Sequence, residues 1–163
     1  MWFPTVRSDL RYTDISPYRI ANVVEINASP RRVFDLFATG EGQTEWFADF
    51  VACRWTSKPP FGFESTREIE LKLLTVMERF LVWEPGKRMT FSIDGITLPI
   101  VDQMLEDLQF EPGPSGHGTR LTWHVHYTPA TLMVPFHPIA RAVFSRMFRK
   151  SAEGLKRFAE ANP

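Results

Sequence analysis

Residues 67–73 read Arg-Glu-Ile-Glu-Leu-Lys-Leu, a strict alternation that predicts a β-strand with one buried face. Residues 18–26 predict another, with β-branched positions interrupted by polar ones. Residues 88–93 alternate again after the turn Glu84-Pro85-Gly86-Lys87, which makes a hairpin with residues 76–83. Residues 76–83 are apolar on both parities, so the pattern leaves their orientation open. Residues 50–56 form a short strand candidate before the break Lys58-Pro59-Pro60. Asp94-Gly95 predicts a further break, and residues 96–101 a connection. Strands are expected at 102–110 and, after a long Pro- and Gly-rich turn, at 119–128. That last strand presents Leu121, Trp123, Val125 and Tyr127 on one face.

The period changes to that of a helix in three places. Ser29 is a natural N-cap and Pro30 suits the first helical position; Val33, Phe34, Phe37 and Ala38 follow at helical spacing, and Gly40 can stop the turn. A second short helix is expected over residues 42–47. From 138 to 161 a long helix carries Ala140, Phe144, Met147, Ser151, Leu155 and Phe158 along one stripe. The order is a strand, two short helices, about six strands and a long helix. Short turns between consecutive strands imply an antiparallel sheet. The long helix must bury its stripe, and a curved sheet of about seven strands wrapped around it does so, giving an α+β architecture. Residues 1–17 have no clear period and are expected as an arm before a single domain at 18–163.

Composition narrows the function. Nineteen Lys plus Arg balance nineteen Asp plus Glu, which argues against a chain-wide grip on nucleic acid. The one cysteine, Cys53, excludes an internal disulfide and a Cys-rich zinc site. No apolar run approaches a membrane span, and the first residues lack the layout of a secretory signal, so a soluble cytoplasmic protein is expected. Fourteen Phe and five Trp are many for 163 residues. They either fill a thick core or line an apolar cavity.

Three segments carry a family likeness. Residues 24–37, Val-Glu-Ile-Asn-Ala-Ser-Pro-Arg-Arg-Val-Phe-Asp-Leu-Phe, are one; residues 82–91, Val-Trp-Glu-Pro-Gly-Lys-Arg-Met-Thr-Phe, are the next. The third is Phe110-Glu111-Pro112, then Gly118-Thr119-Arg120-Leu121-Thr122, then residues 147–156. In this order they resemble the START and polyketide-cyclase superfamily (SRPBCC), whose fold is the helix grip, and within it the bacterial polyketide cyclase/dehydrase and lipid-transport-like group. The likeness implies a deep apolar cavity between sheet and long helix, and a lipid, polyketide or other ring-containing or acyl ligand. Some members are cyclases or aromatases and others co-chaperones, so the fold implies a cavity and not a reaction. No metal or organic cofactor is implied.

On this reading Phe34, Phe91, Met104, Leu108, Trp123, Phe136, Ala140, Phe144 and Met147 are expected to wall the cavity. Arg67 shares its parity with Ile69 and Leu71, and Glu106 with Met104 and Leu108, so both are candidates to point inward. An inward carboxyl has a raised pKa and can move protons, and an inward Arg can hold a carboxylate or enolate oxygen. The alternatives are that these groups fray into solvent or pair with each other. Tyr127 either holds a polar ligand group at the mouth or bonds a loop carbonyl. His124 and His126 look like a metal pair, but alternation turns both outward, away from Trp123 and Val125. Residues 131–138 are apolar and proline-rich, either a cavity rim or a lead-in to the helix. From Arg141 to Arg157 six basic residues face one acid, Glu153. That helix face either makes transient contact with anionic membrane or is merely solvated. Neither the oligomeric state nor the ligand follows from these residues.

Overall fold

Every alternating segment joins one antiparallel sheet in the computed structural model, which describes residues 1–163. The strands are β1 (Phe3–Pro4), β2 (Tyr18–Ile26), β3 (Phe50–Trp55), β4 (Thr66–Leu71), β5 (Thr75–Glu84), β6 (Arg88–Ile96), β7 (Val101–Pro112) and β8 (Thr119–Pro129). Their order is β2-β8-β7-β6-β5-β4-β3, with β1 paired to the end of β6. The helices are α1 (Tyr12–Ile15), α2 (Pro30–Thr39), α3 (Gln43–Trp46) and α4 (His137–Ala161), with a 3₁₀ helix at Thr131–Phe136. The α+β helix-grip architecture is as expected.

α2 begins and ends as its residues dictate. The Arg32 backbone N–H donates to Ser29 Oγ at 3.2 Å, Pro30 takes the first position, and Gly40 closes the helix in the left-handed region at φ 73°. α2 and α3 then fill one end of the space between sheet and α4 with aromatic rings. Phe37 stands edge-on to Trp46 and to Trp123, with centroids 5.1 and 5.2 Å apart, and Trp123 to Phe148 at 5.5 Å. α4 is held down here at close range. A Cβ on Gly154 would lie 2.4 Å from the carbonyl oxygen of Trp46, and Ser151 Oγ accepts from the Ala48 N–H at 3.0 Å.

One expectation needs correction. Asp94-Gly95 does not break β6, which runs on to Ile96 because Gly95 pairs with Met77 on one side and Pro4 on the other. β6 and β7 stay in register only to Ser92 and Leu105, and β1 fills the gap beyond. The arm, residues 1–17, lies along the sheet. The Val6 N–H donates to Asp102 O at 2.8 Å, the Ser8 N–H to Ser92 Oγ at 3.0 Å, and Tyr12 Oη meets Thr128 Oγ1 at 2.7 Å. This covers His126, whose Nδ1 lies 2.8 Å from Ser16 Oγ. His126 faces away from the cavity as expected, yet it is buried. No helix is long and apolar enough to cross a membrane.

Candidate functional site

Along β4 to β8, alternate residues face α4 between the bulges that interrupt β5 and the start of β7. At the α3 end that space is filled. Toward the start of α4 it opens into a cavity of about 600 Å³ lined largely by apolar side chains. The polar residues on its wall fall into two groups. Gln43, Arg67, Glu78 and Glu106 are buried, while Asp49, Arg146 and Lys150 are exposed at the mouth.

Arg67, Glu78 and Glu106 form a polar strip across the concave face, while Gln43 comes from α3. Arg67 on β4 sits directly opposite Glu78 on β5, and its Nε donates to Glu78 Oε2 at 2.6 Å. Arg67 Nη1 donates to the carbonyl of Phe37 at 2.8 Å, satisfying one of the last carbonyls of α2. The guanidinium also lies over the rings of Phe80 and Trp55, 4.9 and 5.3 Å from their centroids. Arg67 is thus inward and only 2% exposed, with two of its donor groups already engaged.

Glu106 lies further along the sheet on β7, opposite Phe91 and Val125. Its Oε2 accepts from Trp123 Nε1 at 2.8 Å. Burial, reinforced by the charge of Glu78, pushes its carboxyl up to about 8 against the pull of Trp123 and Arg67. Burial likewise raises the Glu78 carboxyl, which Arg67 opposes. At neutral pH Glu106 is therefore a protonated acid beside an apolar cavity, able to donate a hydrogen bond or a proton through the oxygen that Trp123 leaves free. Gln43 adds an amide whose Oε1 is buried without a partner.

Tyr127 lines the cavity near the mouth, and its hydroxyl meets side chains rather than a loop carbonyl. It lies 2.9 Å from His137 Nε2 and accepts from Arg141 Nη1 at 3.3 Å, so it ties the last strand to the first turns of α4. Phe91, Met104, Trp123, Ala140, Phe144 and Met147 line the cavity. Three expected wall residues do not. Phe34 and Leu108 face the interior but at its filled end, with the Phe34 ring edge-on to Trp83 and Phe110 at 5.5 Å. Phe136 ends the 3₁₀ helix with its side chain in solvent.

Sequence reasoning missed Gln43, Phe47, Ile69, Glu78, Ile96 and Ile100 on the wall. Glu78 was findable only through register, because it shares a parity with Val76 and Phe80 once residues 76–83 are oriented. Cys53 is half-buried, and burial raises its thiol pKa, which disfavours a nucleophilic thiolate. No cluster of His, Cys, Asp or Glu has the arrangement of a metal site.

A helix-grip fold with a wall of this kind defines a class, and the sequence places the chain within it. A family model described as polyketide cyclase / dehydrase and lipid transport matches residues 18–160, and the chain belongs to that family. An uncharacterised protein of Mycobacterium tuberculosis is 29% identical over 160 residues, spanning 98% of this chain and 95% of its own. Among solved structures, the Zhui aromatase/cyclase of Streptomyces sp. R1128 aligns with a TM-score of 0.73 at 15% identity, covering 88% of this chain and 93% of that one. A Thermus thermophilus protein aligns with a TM-score of 0.71 at 16% identity, covering 88% and 98%. At these identities the structural likeness speaks for the fold, and the site must be argued from its own residues.

Proposed function

We propose that this protein binds an apolar small molecule, a lipid, polyketide or other ring-containing or acyl compound, with one oxygen function set against the polar strip. The observation that carries this is a cavity of about 600 Å³ with three buried ionisable groups, Arg67, Glu78 and Glu106, on its sheet wall and the buried amide of Gln43 from α3. The volume suits a drug-sized ligand. Burial of the ligand's apolar surface supplies affinity at roughly 25 cal/mol per Å² before ordering costs. A protonated Glu106 favours a carbonyl or hydroxyl oxygen over a carboxylate, which would meet Glu78 as a like charge. The co-chaperone alternative loses its motive, since it gains weight only where no ligand fits.

One observation favours an enzymatic version, a cyclase or aromatase. The neutral Glu106 carboxyl can donate its proton to a ligand carbonyl oxygen as an enol carbon of the same ligand adds to that carbonyl. The Glu106 carboxylate so formed takes back the enol O–H proton, while Arg67 steadies the oxygen that carries the developing negative charge. Native and denaturing mass spectra of the purified protein test the binding reading. The expected result is a defined apolar mass that is retained natively and lost on denaturation, or taken up from an added panel of acyl chains and polycyclic ketones. A protein that stays bare against the whole panel would overturn it.

A further inference from the structure

The cavity opens beside a surface that exposes apolar side chains where a soluble protein usually hides them. Leu132, Ile139 and Val143 are 86%, 70% and 61% exposed on the 3₁₀ helix and the first turns of α4. Phe136 joins them, and Leu73, 86% exposed on the β4–β5 turn, stands across the mouth on the cavity's rim. Along α4, Ile139, Val143, Arg146 and Lys150 follow at helical spacing, so one stripe passes from apolar tips to basic heads.

The charge around these tips has one sign. Residues 129–152 contain Arg141, Arg146, Arg149 and Lys150 and no Asp or Glu. Arg146, Arg149 and Lys150 are exposed and make no ion pair with the protein. Asp49, the acid at the rim, is already matched by Lys72 Nζ at 3.4 Å. Apolar tips flanked by unpaired cations complement an anionic lipid surface, with acyl chains below and negative headgroups above. A second copy fits less well, because a two-fold contact would set these cations against each other.

We propose that this face, the 3₁₀ helix with the first half of α4 and the β4–β5 turn, docks the protein on an anionic membrane with the cavity mouth turned toward the bilayer. The docking does not depend on which ligand the cavity holds. Under the binding reading above it lets an apolar ligand pass between bilayer and cavity without crossing water.

Flotation of the full chain with vesicles tests it, one set of equal parts phosphatidylglycerol and phosphatidylcholine and another of phosphatidylcholine alone. The protein is expected to float with the anionic set, less so as salt rises, and poorly with the neutral set. Arg149→Glu with Lys150→Glu should weaken anionic binding at least about 25-fold, from about fivefold for each basic side chain at such a surface. Leu132→Glu with Ile139→Glu should abolish it, while Lys87→Glu, at the opposite end of the molecule, should leave it unchanged. These side chains are exposed, and circular dichroism confirms that the variants fold. Equal binding to both vesicle sets, binding to neither, or binding that ignores both double variants would each overturn the proposal. A concentration-dependent dimer abolished by Leu132→Glu with Ile139→Glu would assign the face to a second copy instead. Because no ligand enters the assay, its failure is separate from any failure of the binding reading.

Discussion

The two halves of α4 cross the same concave sheet and meet opposite fates. Its second half, from Phe148 to Ala159, packs closely on α3 and on the sheet, with the Phe148 ring edge-on to Trp123 of β8, and Phe148 and Leu155 are almost fully buried. Its first half stands off the sheet over a cavity, with Ala140, Phe144 and Met147 only partly covered. The difference lies less in the helix's own stripe than in what faces it. α2 and α3 supply Phe34, Phe37 and Trp46 to one half, and only Phe37 and Gln43 reach the cavity wall under the other. Stability is thus concentrated at one end, and the other is free to serve a ligand.

Substitution at the sealed end gives the largest effect. Phe148 is 2% exposed and packs on Trp123 at the inner end of the cavity wall, so Phe148→Ala removes a ring buried among its neighbours and extends the cavity into the packed end. The expected loss is about 3–5 kcal/mol, read from urea unfolding. A loss below about 1 kcal/mol would mean that the rings at this end are mobile and that the two halves of α4 do not differ.

The polar strip sharpens the contrast through pH. The Glu106 carboxyl is held near 8 in the folded protein against an ordinary 4.5 in the unfolded chain. As pH rises the unfolded chain therefore loses its proton first. The stabilisation owed to a neutral Glu106 is complete below about pH 4.5, declines through the interval, and is exhausted above about pH 8. Glu106→Gln keeps an acceptor for Trp123 and cannot ionise. It should come within about 1 kcal/mol of the parent near pH 5 and exceed it by about 4 kcal/mol near pH 8. Parallel stability profiles would put the Glu106 carboxyl in water and remove the strip's buried end.

Much of this was legible in the sequence, and the exceptions have physical causes. Alternation turned Arg67, Glu106, Trp123 and Tyr127 toward α4, and Ser29-Pro30 with Gly40 bounded α2. Parity names a face but not a position along the cavity axis, so Phe34 and Leu108 were expected on a wall and belong to the filled end. Glu78 escaped because residues 76–83 are apolar on both parities and a bulge near Phe80 and Val82 shifts their register. β1 depends on a gap between β6 and β7 that no local pattern encodes. The partner of Tyr127 was missed because His137 returns to it only after the chain has turned into α4.

The smallest stability effect is expected at Phe144, four residues from Phe148 on the same helix. Its ring borders the cavity, and the space beside it is already open. Phe144→Ala therefore creates little new void, and the loss should stay below about 1 kcal/mol because the cavity term is nearly absent. The binding effect should be large by contrast. The enlarged space loses contacts to the ligand that fits the parent and admits a bulkier one, so the retained mass should shift upward within the same panel of acyl and polycyclic compounds. The decisive quantity is the ratio of the two substitutions. If Phe144→Ala costs as much as Phe148→Ala, the helix is sealed along its whole length and the cavity closes in solution. If Phe144→Ala is nearly neutral and changes the bound mass, the first half of α4 is the wall that selects the ligand.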